Sequence, residues 1–139
     1  MIYGNNLLYA GGFDSVICCS SAAGFHGMCM KGSNKLDFYV KTSNPPENSL
    51  YYRFFSISSF DDIEIEEVNG IQLTTPKQSI LDMIKYDCYM EFVCDSLDWW
   101  SRKYGSLSEI ENLLKKNDLY SKYLEEYYPY LEDSRNGWK

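Results

Sequence analysis

Near the start of the chain, Ala10-Gly11-Gly12-Phe13-Asp14-Ser15 follows an apolar run over residues 7–9. Glycine amides in such a loop can cradle a pyrophosphate, so a nucleotide reading assigns Gly11, Gly12, Asp14 and Ser15 to a phosphate loop. The same string also reads as a glycine turn between a strand and a buried segment, because glycine is the default residue of tight turns. We take the turn as the primary reading and keep the loop as the alternative. Asp37, further along, does not complete a metal-dependent transfer site. That chemistry needs two carboxylates on one divalent cation, and the residue two positions on is Tyr39.

His26 is the only histidine, so a histidine pair for a metal is unavailable. A cysteine–histidine nucleophile would need His26 to meet Cys18, Cys19, Cys29, Cys88 or Cys94 in space. Placed between Phe25 and Gly27, it reads instead as a helix-end histidine bonding a terminal carbonyl. The acidic set Asp61, Asp62, Glu64, Glu66 and Glu67 reads as the charged outer face of a hairpin, so no metal is expected.

Partner recognition is the other chemistry on offer. Adjacent helical side chains diverge by about 100 degrees, so Trp100 is expected in the core and Trp99 nearer the surface. Arg102, three residues on, can share a face with Trp99 and cover the indole or bond a partner carboxylate. Trp99 and Arg102 are therefore the expected interface anchors, with Tyr51, Tyr52 and Arg53 as the second candidate patch. Tyr104, Tyr127 and Tyr128 are also expected near the surface.

These side chains must be positioned by a small set of elements. A helix is expected over about 20–27, with Ser20 or Ser21 as its cap and Gly27 as its stop. Residues 35–42 alternate, with Leu36, Phe38 and Val40 on a buried face and charged or phenolic residues on the other, as in a half-buried strand. Pro45-Pro46 forces a loop, and residues 51–58 resume as a strand. Residues 63–68 and 71–73 flank Asn69-Gly70, the strongest two-residue hairpin signal. Thr74-Thr75-Pro76 offers a capping hydroxyl and a proline at the first helical position, so a helix begins there. A second helix covers about 89–104, with Met90, Val93, Leu97 and Trp100 on one stripe and Gly105 at its end. Ser106 and Glu109 have capping-box spacing and open a third helix through Lys116; Asp118 opens a fourth that Pro129 ends. Strands before Leu73 and helices after Pro76 predict an α+β fold, a small, mainly antiparallel sheet against three to four C-terminal helices, in one domain over 1–139.

Composition narrows the function. Thirteen basic against twenty acidic residues give a net charge of -7 in 139 residues, which disfavours direct nucleic-acid or anionic-membrane binding. No apolar run approaches the roughly 18 residues of a membrane span, and the first residues lack a secretory pattern, so a cytoplasmic protein is expected. Five cysteines without a CxxC pair read as free thiols. Thirteen tyrosines in an acidic domain suit a protein partner.

Two family resemblances carry these readings further. The glycine string is similar to the SGGxDS loop of PP-loop ATP pyrophosphatases, which would imply an ATP-binding or adenylating enzyme, although the family's first serine is Ala10 here. Three other segments, read together, resemble the C-terminal domain of AbiEi-family antitoxins, the antitoxin half of abortive-infection type IV toxin–antitoxin systems. They are Ser20-Ser21-Ala22-Ala23-Gly24-Phe25-His26-Gly27-Met28, the alternating strand 36–41, and residues 67–84, EVNGIQLTTPKQSILDMI. The match runs in order across about 14–120. The family's Thr-Pro-x-Arg-Thr helix start reads Thr75-Pro76-Lys77-Gln78-Ser79, with Gln78 in place of the arginine. The resemblance does not extend to the family's winged-helix DNA-binding domain, so autoregulation on DNA is not expected. It implies a non-catalytic, cofactor-free protein that counteracts a partner toxin, typically nucleotidyltransferase-like, or another nucleic-acid-handling defence enzyme. The same domain would also suit a phage-encoded inhibitor of a host defence system, anti-CRISPR-like in role.

Overall fold

The structure, a computed structural model, describes residues 15–30 and 35–131. Five strands, β1 (Ser15–Ile17), β2 (Leu36–Val40), β3 (Tyr52–Ser56), β4 (Ile65–Val68) and β5 (Ile71–Thr74), form one sheet in the order β3-β2-β1-β5-β4. Helix α1 (Cys19–Phe25) links β1 to β2, and α2 (Pro76–Lys85), α3 (Met90–Tyr104), α4 (Ser108–Lys116) and α5 (Tyr120–Glu126) follow the sheet. This is an α+β fold, as the order of elements predicts. The sheet is mixed, not mainly antiparallel: β1–β2 and β4–β5 run antiparallel, while β1–β5 and β2–β3 run parallel. The parallel pairs follow from the loop through Pro45-Pro46 and from the hairpin joining β1 instead of β3, relations between distant segments that local pattern does not encode.

Local chemistry accounts for most of the element ends. Asn69 and Gly70 both have positive φ, +53° and +81°, as a two-residue turn matching strand twist requires. Thr75 caps α2, its Oγ1 accepting from Gln78 N at 3.3 Å while Pro76 stands at the first helical position. Gly105, with φ +86°, ends α3 in the left-handed region. Two expected caps differ. Helix α1 starts at Cys19, with Cys18 as its N-cap and no side-chain cap bond, because Ser20 and Ser21 turn their hydroxyls toward β2. Ser106 accepts from Ser108 N, not from Glu109, so the capping box is not formed. Helix α5 begins at Tyr120, two residues after Asp118, which takes a positive φ.

Register divides the strand side chains between two faces. Ile17, Phe38, Phe54 and Leu73 share one face and pack with Val40 and Ala22. On the other, Val16 and Tyr39 join the larger core made with α1 to α5, including Ile80, Met83, Ile84, Val93, Leu97, Trp100, Ile110, Leu114 and Tyr123. The face of β2 expected to meet solvent is thus covered. Asp37 and Tyr39 are 0% and 2% exposed, because α1 packs over β2 and α2 packs on α1. Among the described residues no helix is long and apolar enough to cross a membrane.

Candidate functional site

Strand β2 places Asp37 under α1, and β3 places Arg53 directly across from it in register. A carboxylate without partners there would be strongly disfavoured, so its surroundings are polar by necessity. Arg53 Nε donates to Asp37 Oδ1 at 2.7 Å, and Ser20 Oγ donates to Oδ2 at 3.0 Å. The backbone of Asp37 is held as well: its N–H donates to Ser21 Oγ at 2.9 Å and its carbonyl accepts from Cys18 N at 3.0 Å. Arg53 also points an NH2 group at Cys88 Sγ, 3.5 Å away, and lies over the Phe55 ring at 5.3 Å. The hydrogen bond and charge of Asp37 raise the Arg53 pKa further, so it is a fixed cation.

This pair forms part of the wall of a cavity of about 600 Å³. Ser20, Lys35, Asp37 and Arg53 give it a polar side, and Met30, Tyr89 and Phe92 an apolar one. Met30 is 89% and Tyr89 68% exposed, and Tyr89 contacts the Phe92 ring at 5.6 Å. Tyr89 sits at the turn between α2 and α3, where Asp87 takes a left-handed φ of +55° and pairs with Lys122 at 2.6 Å.

The thiols beside this cavity are poorly suited to nucleophilic attack. Cys18, Cys19 and Cys88 are buried and free, and Cys19 is in side-chain contact with both others. Burial pushes Cys18 up to about 11 and Cys19 well above its ordinary value, while Cys88 is raised by its contact with Cys19 and then by burial. All three are neutral thiols at physiological pH. His26 Nε2 donates to the Thr74 carbonyl at 2.8 Å and lies 3.3 Å from Glu66 Oε1, so it ties the end of α1 to β5 and β4. It caps no helix carbonyl and its Nε2 is not aimed at a thiol. Glu64 is likewise structural, accepting from Thr75 Oγ1 and pairing with Lys77. Among the described residues no three His, Cys, Asp or Glu side chains converge as a metal ion would require.

The interface candidates separate in space. Arg53 faces the cavity, whereas Tyr52 packs on the opposite sheet face beside Phe38 and Phe54, and Tyr51 precedes β3 at the surface. Trp99 is half-buried against the large core, and the cation over its indole is Lys103, at 4.7 Å, not Arg102. Arg102 instead pairs with Asp98, one turn earlier, at 2.8 Å. One further turn of α3 brings Lys103 back over Trp99, which is why spacing by three chose the wrong cation. Tyr104 is exposed, Tyr128 is partly buried, and Tyr127 is only 3% exposed, packed in the core and not at the surface. Ser15 is buried in β1, and its hydroxyl has no hydrogen-bond partner; Gly11, Gly12 and Asp14 lie outside the described residues.

Asp37, Ser20 and Tyr89 escape sequence reasoning. The available signal was a pair of opposite charges, Asp37 and Arg53, at matching places in two alternating strands, which becomes a contact only when those strands are known to be neighbours. No protein-family model matches the sequence, and no curated protein does. What the geometry defines is an α+β domain with a fixed, half-buried arginine at a cavity bordered by exposed apolar side chains.

Proposed function

We propose that this protein acts by contact with another protein, as a non-catalytic regulatory domain of the antitoxin-like kind. Its partner in this reading is a toxin or defence enzyme of nucleotidyltransferase-like or other nucleic-acid-handling chemistry. The observation that carries the reading is the Arg53 cavity. Arg53 is oriented by Asp37 and 28% exposed at its side chain, and Met30 and Tyr89 stand largely in solvent beside it. A pre-oriented arginine ringed by exposed aromatic and methionine side chains has the make-up of a binding hot spot, since the ring excludes water from the polar contact. Neutral, buried thiols beside it favour binding over chemistry. The net charge of -7 adds long-range attraction to a basic partner.

Quantitative affinity purification from the source cells, with the parent chain, Tyr89→Ala and Arg53→Ala as baits, tests the proposal. One protein should be enriched by the parent over an unrelated acidic bait and lost with both variants, and co-expression with it should suppress its toxicity or activity. The reading fails if nothing is enriched, or if the enriched protein holds both variants as tightly as the parent.

A further inference from the structure

A second cavity, of about 360 Å³, opens elsewhere on the molecule, between α2 and the segment joining β3 to β4. Asp82, on α2, is 1% exposed and lines it. Its Oδ1 accepts from Gln78 Nε2 at 3.0 Å, which fixes the carboxyl, while Oδ2 is buried with no hydrogen-bond partner. A buried carboxylate oxygen left unmatched costs several times what an ordinary hydrogen bond contributes, so the position calls for a donor. The nearest cation on the same helix does not supply it. Lys85 extends over the Tyr86 ring, 5.3 Å from its centre, and makes no ion pair with Asp82 among the described residues.

We propose that this cavity binds a small organic ammonium ion, whose NH3+ group donates to Asp82 Oδ2. Three observations select that chemistry. The volume is an order of magnitude above the roughly 30 Å³ of one water, so there is room for a ligand of several heavy atoms. Tyr39 and Tyr86 present aromatic walls, which attract cations and tolerate an alkyl stem. Asp62 lines the same cavity, is exposed, and has no ion pair among the described residues, so a second negative charge stands along it. A carboxylic acid or phosphate would meet two carboxylates there and be repelled. The inference is independent of the partner-binding reading, which uses a different cavity.

Ionisation of Asp82 supplies the readout. Burial lifts its carboxyl to about 6, opposed by the Tyr39 phenol, Gln78 and the charge of Lys85; the Cys18 and Cys19 thiols that also feel it are neutral. An ammonium ligand requires the ionised form, and an alkylammonium stays charged across this range. Amide chemical shifts of the full chain, followed during titration with n-butylamine and with its neutral isostere 1-butanol, measure both affinities. The amine should shift the amides of Gln78, Asp82 and Tyr86, outcompete the alcohol, and weaken about tenfold between about pH 7.5 and about pH 5. Asp82→Asn should abolish the preference for amine over alcohol, and the pH series on the parent chain stands even if that variant does not fold. Equal binding of the alcohol, binding indifferent to pH, or no shift at these amides at tens of millimolar amine would overturn the proposal.

Discussion

Asp37 and Arg53 face one another in register across β2 and β3, with 2.7 Å between Oδ1 and Nε, yet the two are unequally placed. The side chain of Asp37 is 1% exposed and that of Arg53 28%. If Asp37 is neutralised, Arg53 can turn toward solvent. If Arg53 is removed, Asp37 stays behind as a buried charge with only Ser20 to satisfy it. Arg53→Ala should therefore cost about 3 kcal/mol, the low end for breaking a buried pair because the arginine is partly exposed. Asp37→Asn should cost less, about 1.5 kcal/mol. Urea denaturation of both variants checks the order, and a reversed order would show that the arginine is the charge left stranded.

Asp82 predicts an inverted pH response. Its folded-state pKa of about 6 stands above the unfolded value of 3.8, so between these the folded chain holds a proton the unfolded chain has released. This contribution to stability is present at low pH and is lost as pH rises through about 6, by on the order of 2–3 kcal/mol in full. Asp82→Asn removes the dependence. Relative to the parent, it should be more stable at neutral pH, with the advantage vanishing near pH 4, as read by chemical denaturation at the two pH values. A variant less stable than the parent at neutral pH would mean that the ionised carboxylate is well solvated.

Thr75 holds two ends at once, accepting from Gln78 N and donating to Glu64 Oε1. Thr75→Ala should cost about 0.5–2 kcal/mol in thermal or chemical melts. Thr75→Ser keeps the hydroxyl and should recover most of that loss; failure to recover it would assign the effect to the methyl group.

On α3, Trp99 and Arg102 should part company. Trp99 packs at the core's edge, so Trp99→Ala should lose about 2–3 kcal/mol, less than a fully buried tryptophan. Arg102 is two-thirds exposed and joined only to Asp98 by a one-turn ion pair, so Arg102→Ala should change stability by under about 0.5 kcal/mol. Equal, negligible losses would mean that the indole contributes nothing to the core.

The sequence made the hairpin at Asn69-Gly70, the Thr75-Pro76 helix start and the Gly105 stop legible, because each depends on a few adjacent residues with a special backbone or capping role. It also made the amphipathic stripe of α3 legible: Val93, Leu97 and Trp100 are all buried. The sites were not legible. Alternation marked Asp37 and Tyr39 as polar-side residues of β2, but only the packing of α1 and α2 decides that this side is interior. Asp82 sits in an apolar helical run, where spacing identifies a buried face and says nothing of whether its carboxylate will find a donor. Of the aromatic and cationic interface candidates, Arg53 reaches a cavity, and its partner across the sheet becomes apparent only with the strand order.

The central position of β1 constrains the route by which the chain folds. The β4–β5 hairpin closes through two residues and needs only local search, a process of microseconds. Strand β1, between β2 and β5, takes its parallel partner through Ile17 and Leu73, which lie in opposite halves of the sheet's sequence. Closing so long a loop carries an entropic cost before any contact compensates it. During synthesis on the ribosome, β1 and β2 emerge well before β5, so Ile17 waits without its second neighbour until the hairpin arrives. The open flank of β1 is in that interval the part of the nascent chain most exposed to pairing with another strand.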